Sequence, residues 1–485
     1  MSIKSKLVLV FLVLTLTACV KNPVTGKKQF AVMSEAREIG LGASYDPQIV
    51  AEFGLYQDSI LQNYINVKGK EMAKISHRPE LDYKFRVVDS PVVNAFAVPG
   101  GYIYFTRGIM AHFNNEAEFT GVLGHEIGHV TARHTAVAQR NSTFAQLGLI
   151  AGMVASPQIA QFAEPLSSGM GLLLLKFGRD AESQSDELGV EYSSKIGYDA
   201  REMSYFFGTL NRLSGGPEGR VPEFYSTHPD PLNRKEEVSH LASEWQEKLH
   251  MTSPKVNRNS YLQMLDGLVY GEDPRQGFVE NFTFYHPVLK FQFPVPNDWA
   301  YQNSPQQFQM APKDGKAMML FTLAQGESLE AAALAFAQQY KIIATSSKNV
   351  TLHGNPAYEL VGHQTTEAAQ GDIPAGTPAV GVKIILISYD RLIYMILGAA
   401  EFADMGTYIP QFDGTMKNFK KLTDPDKLGR LPERLGLYTV SHAGTLESIL
   451  SQKGIPVARH SEWAIVNGME LSETVPTGTI IKVIK

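Results

Sequence analysis

Gly121-Val122-Leu123-Gly124-His125-Glu126-Ile127-Gly128-His129-Val130 decides how the rest of this chain is read. On a helix, His125 and His129 stand four residues apart and project from one face, close enough for two imidazoles to share a metal. Glu126 lies beside them, placed to reach a water on that metal. H-E-x-x-H spacing supplies two nitrogen ligands and a carboxylate base. The same five residues also occur by chance on ordinary helices, so the flanking sequence must decide.

Immediately upstream, Asn114 or Asn115 can cap the helix, and Glu116 and Glu118 favour the positive end of its dipole. Phe119, Val122, Leu123, Ile127 and Val130 form a buried stripe. Gly121, Gly124 and Gly128 each weaken the helix by about 1 kcal/mol relative to Ala. Three such costs in one helix point to close packing of another backbone. Arg133 and His134 extend the polar face, with His134 read as a solvated or hydrogen-bonded histidine. Asn94 to Gly108 reads as strand, Pro-Gly-Gly turn, strand. That hairpin is either purely structural or an edge able to pair with an extended peptide. Leu81 to Val88 alternates like a strand, and Ser34 to about Ile75 reads as helical.

Downstream, Thr143 to Phe177 is apolar but broken by Ser156-Pro157 and Glu164-Pro165, so no run reaches the roughly 20 residues of a membrane span. It reads as packed helices near the site, with a mobile cover as the alternative. Gly178 to Gly189 follows, with Glu182 and Asp186 on one helical face. Catalytic zinc usually has three protein ligands, and Glu182 could complete a His-His-Glu set with one position left for water. Asp186 could orient a ligand histidine or handle a proton. An acidic, solvated helix would look the same. In Ser226-Thr227-His228-Pro229-Asp230-Pro231-Leu232-Asn233-Arg234 the prolines fix a loop. From it His228 and Arg234 could enter the site, to stabilise an oxyanion or to plug the open metal position.

The 485 residues exceed one ordinary core, so several domains are expected. A net charge of -5 and no basic stripe argue against nucleic acid as a partner. Cys19 is the one cysteine. Lys4 and Lys6 precede an apolar run, Leu7 to Leu16, that is too short for an ordinary span and fits a secretory segment. The run ends Leu16-Thr17-Ala18-Cys19, which resembles the lipobox of bacterial lipoproteins. That resemblance implies a signal peptide over 1–19 and a lipidated Cys19. Val20 follows rather than Asp, which implies the outer membrane, facing the periplasm.

Taken together, NAFAVPGGYIYFTRG, GVLGHEIGHVTARH, RDAESQSD and STHPDPLNR resemble, in that order, the metallopeptidase family of the CAAX prenyl proteases and its soluble periplasmic lipoprotein branch. The resemblance runs from about Val24 to Leu241. It implies a mainly α-helical zincin-like peptidase domain with a small β-hairpin or sheet over 20–256. It implies one Zn2+ per chain on His125, His129 and Glu182. Glu126 matches the general base, Asp186 a proton donor, and His228 a histidine that approaches zinc from a loop. Ser185 departs from the usual Ala before the Asp.

Residues 261–423 form a separate block, with strands over Val288–Phe293, Met318–Thr322, Val382–Tyr389 and Leu392–Leu397 and an Ala-rich helix over Ser328–Tyr340. Its opening, Phe284-Tyr285-His286 with Phe291-Gln292-Phe293-Pro294 and Trp299, resembles PsbP-like α/β sandwich domains, implying partner or client binding. Asp424 to Arg434 reads as a charged linker. Residues 435–485 read β-α-α-β and resemble a LysM-type α+β module, which implies peptidoglycan binding or a small structural cap. The whole is expected to be a multidomain zinc endopeptidase acting on protein or peptide substrates, misfolded or stalled envelope proteins among them. The alternatives are a non-proteolytic chaperone or assembly factor for outer-membrane proteins and a peptidoglycan-binding scaffold.

Overall fold

A computed structural model describes residues 19–26, 28–30, 33–135, 159, 161–162, 177–215, 224, 227–228, 234–366 and 376–485. The secretory segment before Cys19 and Pro229 to Asn233 lie outside the described residues. The chain divides into two compact units: Met1–Ala145 with Leu172–Glu272 and Glu433–Lys485, and Gln146–Gly171 with Asp273–Pro432.

In the first unit, Cys19–Lys21 pairs antiparallel with Lys28–Phe30. Asn22 between them is buried, and its carboxamide donates to the Ala132 carbonyl at 3.4 Å. The helical run expected from Ser34 is two helices, α1 (Glu35–Phe53) and α2 (Ser59–Ala73). Gly54, at φ 71°, ends the first. Asp58 starts the second by accepting from the Ile60 and Leu61 amides. The hairpin forms as expected. β2 (Ala95–Val98) runs antiparallel to β3 (Tyr102–Thr106), and β1 (Lys84–Val88) pairs parallel on the other side of β3. The turn between β2 and β3 needs its glycines, since Gly100 and Gly101 have φ of 82° and 90°. β2 is left as an edge strand.

After α3 (Arg107–His112) comes α4 (Glu116–Thr131), capped by the Asn115 carboxamide accepting from the Glu118 amide at 2.8 Å. Every residue of α4 is buried, not only one stripe. It is enclosed with α5 (Arg179–Lys195), α6 (Glu202–Ser214), α7 (Arg234–Lys248) and α8 (Arg258–Met264) in the same unit. Glycine makes this enclosure possible. A Cβ on Gly124 would stand 2.9 Å from both Cα and O of Gly189 in α5, and one on Gly121 would stand 2.6 Å from Met203 Cβ in α6.

The block expected from 261 begins later. Tyr261, Leu265, Leu268, Val269 and Tyr270 pack into the core of the first unit, and the second unit starts at Asp273. The C-terminal segment has the expected β-α-α-β order. Leu435–Thr439 pairs antiparallel with Ile480–Ile484, with helices Leu446–Gln452 and His460–Val466 between them. It is not free-standing, however. Its apolar residues, fully buried Trp463 among them, join the same core as α4. Tyr270, from outside the segment, packs on Trp463 with ring centroids 5.1 Å apart. The ammonium of buried Lys482 donates to the carbonyls of Ala111 (2.8 Å), Phe113 (2.9 Å) and Val466 (2.7 Å). Two of these belong to the end of α3, whose last carbonyls lack helical partners.

The second unit holds β4 (Phe278–Glu280), β5 (Thr283–His286), β6 (Phe291–Pro294), β7 (Ala300–Asn303), β8 (Gln307–Ala311), β9 (Ala317–Ala324), α9 (Leu329–Gln339), β10 (Ile343–Leu352), β11 (Asn355–Thr365), β12 (Pro378–Tyr389), β13 (Leu392–Glu401), α10 (Met405–Met416) and β14 (Lys420–Lys421). Seven strands form an antiparallel sheet in the order β10-β11-β12-β13-β9-β8-β7. Four more form a second sheet, β14-β6-β5-β4. One cluster packs α9 on Leu320, Leu360 and Ile384; another packs Phe291 and Phe293 with Phe412 of α10 on Phe321 and Ile396. The result is the expected α/β sandwich. Of the apolar stretch Thr143 to Phe177 expected beside the site, Ile159 and Phe162 lie in this unit's core, and 143–158, 160 and 163–176 lie outside the described residues.

Two outcomes follow. Gly124→Ala, worth about 1 kcal/mol of helix propensity in an open helix, is expected to destabilise here, because overpacking against Gly189 costs about 1–3 kcal/mol. Thermal unfolding reads the sign. Deleting 435–485 uncovers the core around α3 and α6 and is expected to abolish the cooperative unfolding of the first unit by calorimetry, whereas loss of a free-standing module would leave it intact.

Candidate metal centre

α4 and α5 meet where their glycines touch, and that contact puts Glu182 opposite the two histidines of α4. His129 Nε2 is 3.0 Å from His125 Nε2 and 3.3 Å from Glu182 Oε1. His228, between α6 and α7 in sequence, brings Nδ1 to 3.1 Å from Glu182 Oε1 and 3.3 Å from His125 Nε2. One ligand atom from each of the four residues lies within 4.8 Å of the others, and all four side chains are buried. A tetrahedron with bonds of about 2.1 Å has edges of about 3.4 Å. Four of the six separations among His125 Nε2, His129 Nε2, Glu182 Oε1 and His228 Nδ1, at 3.0–3.3 Å, lie near those edges.

The charges fit a cation. Burial holds His125 and His129 well below the usual imidazole range, which leaves them neutral, the form that binds metal. Burial pushes the Glu182 carboxyl up, but His228 and His129 overcome it and hold that carboxyl well below its ordinary value. Oε2 of Glu182 and both carboxylate oxygens of Glu126 are buried with no hydrogen-bond partner among the described residues. Burial raises Glu126 to about 7. Orphaned oxygens in so dry a site are costly unless something absent from the bare chain pairs with them.

Behind the cluster, two partners fix the rings. Asp186 Oδ1 accepts from His125 Nδ1 at 2.8 Å, which turns the lone pair of Nε2 toward the cluster. Arg234 grips Asp186 through two hydrogen bonds, Nε to Oδ2 at 2.6 Å and Nη2 to Oδ1 at 2.7 Å, and lies over the Phe207 ring at 4.2 Å. Asp186 thus stands between the His125 ring and the Arg234 guanidinium. His134 is the partner of the His129 ring. Its Nε2 donates to Gln184 Oε1 at 2.9 Å, so its Nδ1 accepts from His129 Nδ1 at 3.1 Å and leaves His129 Nε2 to face the metal position. Sequence periodicity missed this role, because α4 ends at Thr131 and a left-handed Arg133 (φ 61°) turns the chain back. Ser185, the departure from the family pattern, has its Oγ 3.2 Å from His134 Nδ1.

His228 Nε2 is 3.5 Å from Glu126 Oε1 and 3.3 Å from the carbonyl of Ala95 on the edge strand β2. Phe224 stacks on the His228 ring at 4.5 Å, and Phe177 on His129 at 4.0 Å. The centre is therefore flanked by aromatic rings on two sides and bordered on a third by a strand that is an edge among the described residues.

Residues 59–242 match Peptidase family M48. The mitochondrial metalloendopeptidase OMA1 of Arabidopsis thaliana is 33% identical over 178 residues, 36% of this chain and 35% of that protein. The β-barrel assembly-enhancing protease of Yersinia pestis is 30% identical over 240 residues, 48% of this chain and 49% of that protein. The chain thus spans about half or less of the length of these curated relatives. The solution structure of cyanobacterial PsbP from Synechocystis sp. PCC 6803 is 12% identical, covers 29% of this chain and 91% of that chain, and has a TM-score of 0.23. His125, Glu126, His129, Glu182 and His228 all fall inside the segment that matches a family of zinc-dependent metallopeptidases.

Proposed function

We propose that this protein is a zinc-dependent endopeptidase of the bacterial periplasm, held at the outer membrane by lipid on Cys19. Its substrates are misfolded or stalled envelope proteins. The observation that carries the peptidase reading is the buried set His125, His129 and Glu182 with the orphaned Glu126 carboxylate beside it. The similarity to a metalloendopeptidase and to a protease that enhances β-barrel assembly supports the substrate class. The lipobox-like Leu16 to Cys19 supports the address.

Bound zinc supplies a Lewis acid that polarises the scissile carbonyl and acidifies a water. The chain does the remainder. His125, His129 and Glu182 hold the ion, and Asp186 and His134 keep the two rings in the ligating tautomer. Glu126 takes the proton of the attacking water and passes it to the leaving amine. The edge of β2 offers main-chain groups to an extended substrate. His228 occupies the position of a fourth ligand, so it is also the group that must move for substrate to enter. That placement favours a second reading, an assembly factor whose site rests closed. Binding of the 435–485 segment to peptidoglycan rests on its LysM-like order alone.

Replacing Glu126 with Gln tests the first reading. Casein cleavage is expected to fall at least 100-fold, with one zinc per chain still found by metal analysis, and chelator is expected to stop the parent protein. If the variant restores every phenotype of a deletion strain, the assembly-factor reading replaces it. His134→Ala is expected to weaken zinc binding 10- to 100-fold in competition with a chelating dye. His134→Gln, whose carbonyl can still accept from His129 Nδ1, is expected to recover most of that loss.

A further inference from the structure

The last turn of α4 is gripped by residues that precede the hairpin, and the grip converges on one carboxylate. Glu38 of α1 is fully buried. Its Oε2 accepts from Arg133 Nε at 2.9 Å, and its Oε1 accepts from Arg78 Nη1 at 2.9 Å. Arg78 Nη1 also donates to the carbonyl of Val130, in the last turn of α4, at 3.0 Å. Arg133 Nη2 donates to the Met33 carbonyl at 2.8 Å. Glu38 is itself held in place, because α1 is pressed against the turn of the hairpin. Gly42 leaves no room for a Cβ beside the Pro99 carbonyl, and a Cβ on Gly100 would stand 2.8 Å from Ile39 Cα.

This arrangement costs stability twice. Two guanidinium ions and a carboxylate are taken out of water, where apolar side chains of similar volume often pack as well or better. Arg133 also stands in the left-handed region, at φ 61°, where its Cβ crowds its own backbone and glycine or Asn fits more easily. Such strain persists where the surroundings over-determine it, and it gathers at functional sites. What the ions supply and apolar packing does not is direction, since a guanidinium donates along fixed lines to a carboxylate. The residue served by that direction is the next one in the chain. His134 follows Arg133, and its Nδ1 accepts from His129 Nδ1 at 3.1 Å.

We propose that Glu38 is a positioning residue of the metal centre. It fixes Arg133, and Arg133 fixes the turn that holds His134 Nδ1 against His129 Nδ1, which leaves Nε2 of His129 for the ion. Glu38 acts through this chain of contacts and touches neither the ion position nor substrate. Asp186 of α5 and Arg234 of α7 orient His125 from elsewhere in the chain, so His125 is outside the reach of Glu38. This role rests on the reading of His129 as a zinc ligand and does not depend on cleavage.

The test measures the zinc affinity of the full chain by competition with a chelating dye, and the tautomer of His129 by nitrogen NMR of the histidine-labelled, metal-free protein. Glu38→Gln keeps the shape and removes the charge that pairs the two guanidiniums. It is expected to weaken zinc binding about tenfold, the lower end of what an outer partner of a ligand costs. It is also expected to turn the single Nδ1–H form of His129 into a mixture while His125 keeps one form. His134→Ala removes the group through which Glu38 acts. Adding Glu38→Gln to it is therefore expected to change the affinity by no more than about twofold, where independent effects would multiply. Arg133→Gly relieves the backbone and leaves Glu38 paired with Arg78. It is expected to weaken zinc binding by about the same factor as Glu38→Gln, and it carries the same cycle with His134→Ala if Glu38→Gln does not fold. Multiplied losses in the double variant, parent affinity in both single variants, or an unchanged His129 signal overturns the proposal. Zinc that is lost in His129→Ala but held at parent affinity by Glu38→Gln and Arg133→Gly removes this inference alone. Zinc held undiminished by His129→Ala removes the ligand reading, and this role with it.

Discussion

The contact of Gly124 with Gly189 is the constraint on which the metal centre depends. Two helix backbones approach there at a distance no side chain would permit, and only at that distance does Glu182 reach both His125 and His129. Helix propensity is given up at three positions of α4 to obtain it. The return is a carboxylate and three imidazoles placed with tetrahedral spacing in a region where water cannot compete for them. Full burial of α4 follows from the same contact, because a helix that meets a neighbour so closely on one side must be covered on the others to hold its place.

The orienting groups form a second layer with the same logic. A buried imidazole has two nitrogens, and the ligand function of one is set by the hydrogen bond of the other. Asp186 settles this for His125; burial pushes the Asp186 carboxyl up, and Arg234 opposes that and holds it still. His134 settles it for His129 without bringing another charge into the site. The asymmetry has a use. A second buried carboxylate would add to the negative charge already carried by Glu182 and Glu126, whereas a neutral imidazole does not.

Much of this was legible in the chain, because the spacing of His125 and His129 is local and helical. The cap at Asn114 or Asn115, the Pro-Gly-Gly hairpin, the Ala-rich helix and four strands of the second unit were readable for the same reason, while the long pair Ile343–Leu352 and Asn355–Thr365 was not read. The convergence of Glu182 on the histidines was open from spacing alone and rested on the family resemblance. Local pattern failed where long-range packing decided the outcome. A strong helical signal ran through Gly54, yet a capping aspartate at 58 restarted the helix. His134 reads as a solvated or hydrogen-bonded histidine and is hydrogen-bonded, but its hold on His129 is not readable, because its turn lies beyond the helix that carries the periodicity. The C-terminal segment reads as a LysM-type module or a small structural cap because its own strand and helix order is complete, while Tyr270 beside Trp463 and two of the three carbonyls on the Lys482 ammonium lie far earlier in the chain.

Lys482 sets the order in which this molecule matures. The carbonyls it secures at Ala111 and Phe113 immediately precede α4, and the ammonium that satisfies them follows Ala111 by 371 residues. A chain emerging from a ribosome or a translocation channel has made its histidine-bearing helix long before it has made the group that pins that helix's leading end. The pinning of that helix end therefore waits until Lys482 has been made.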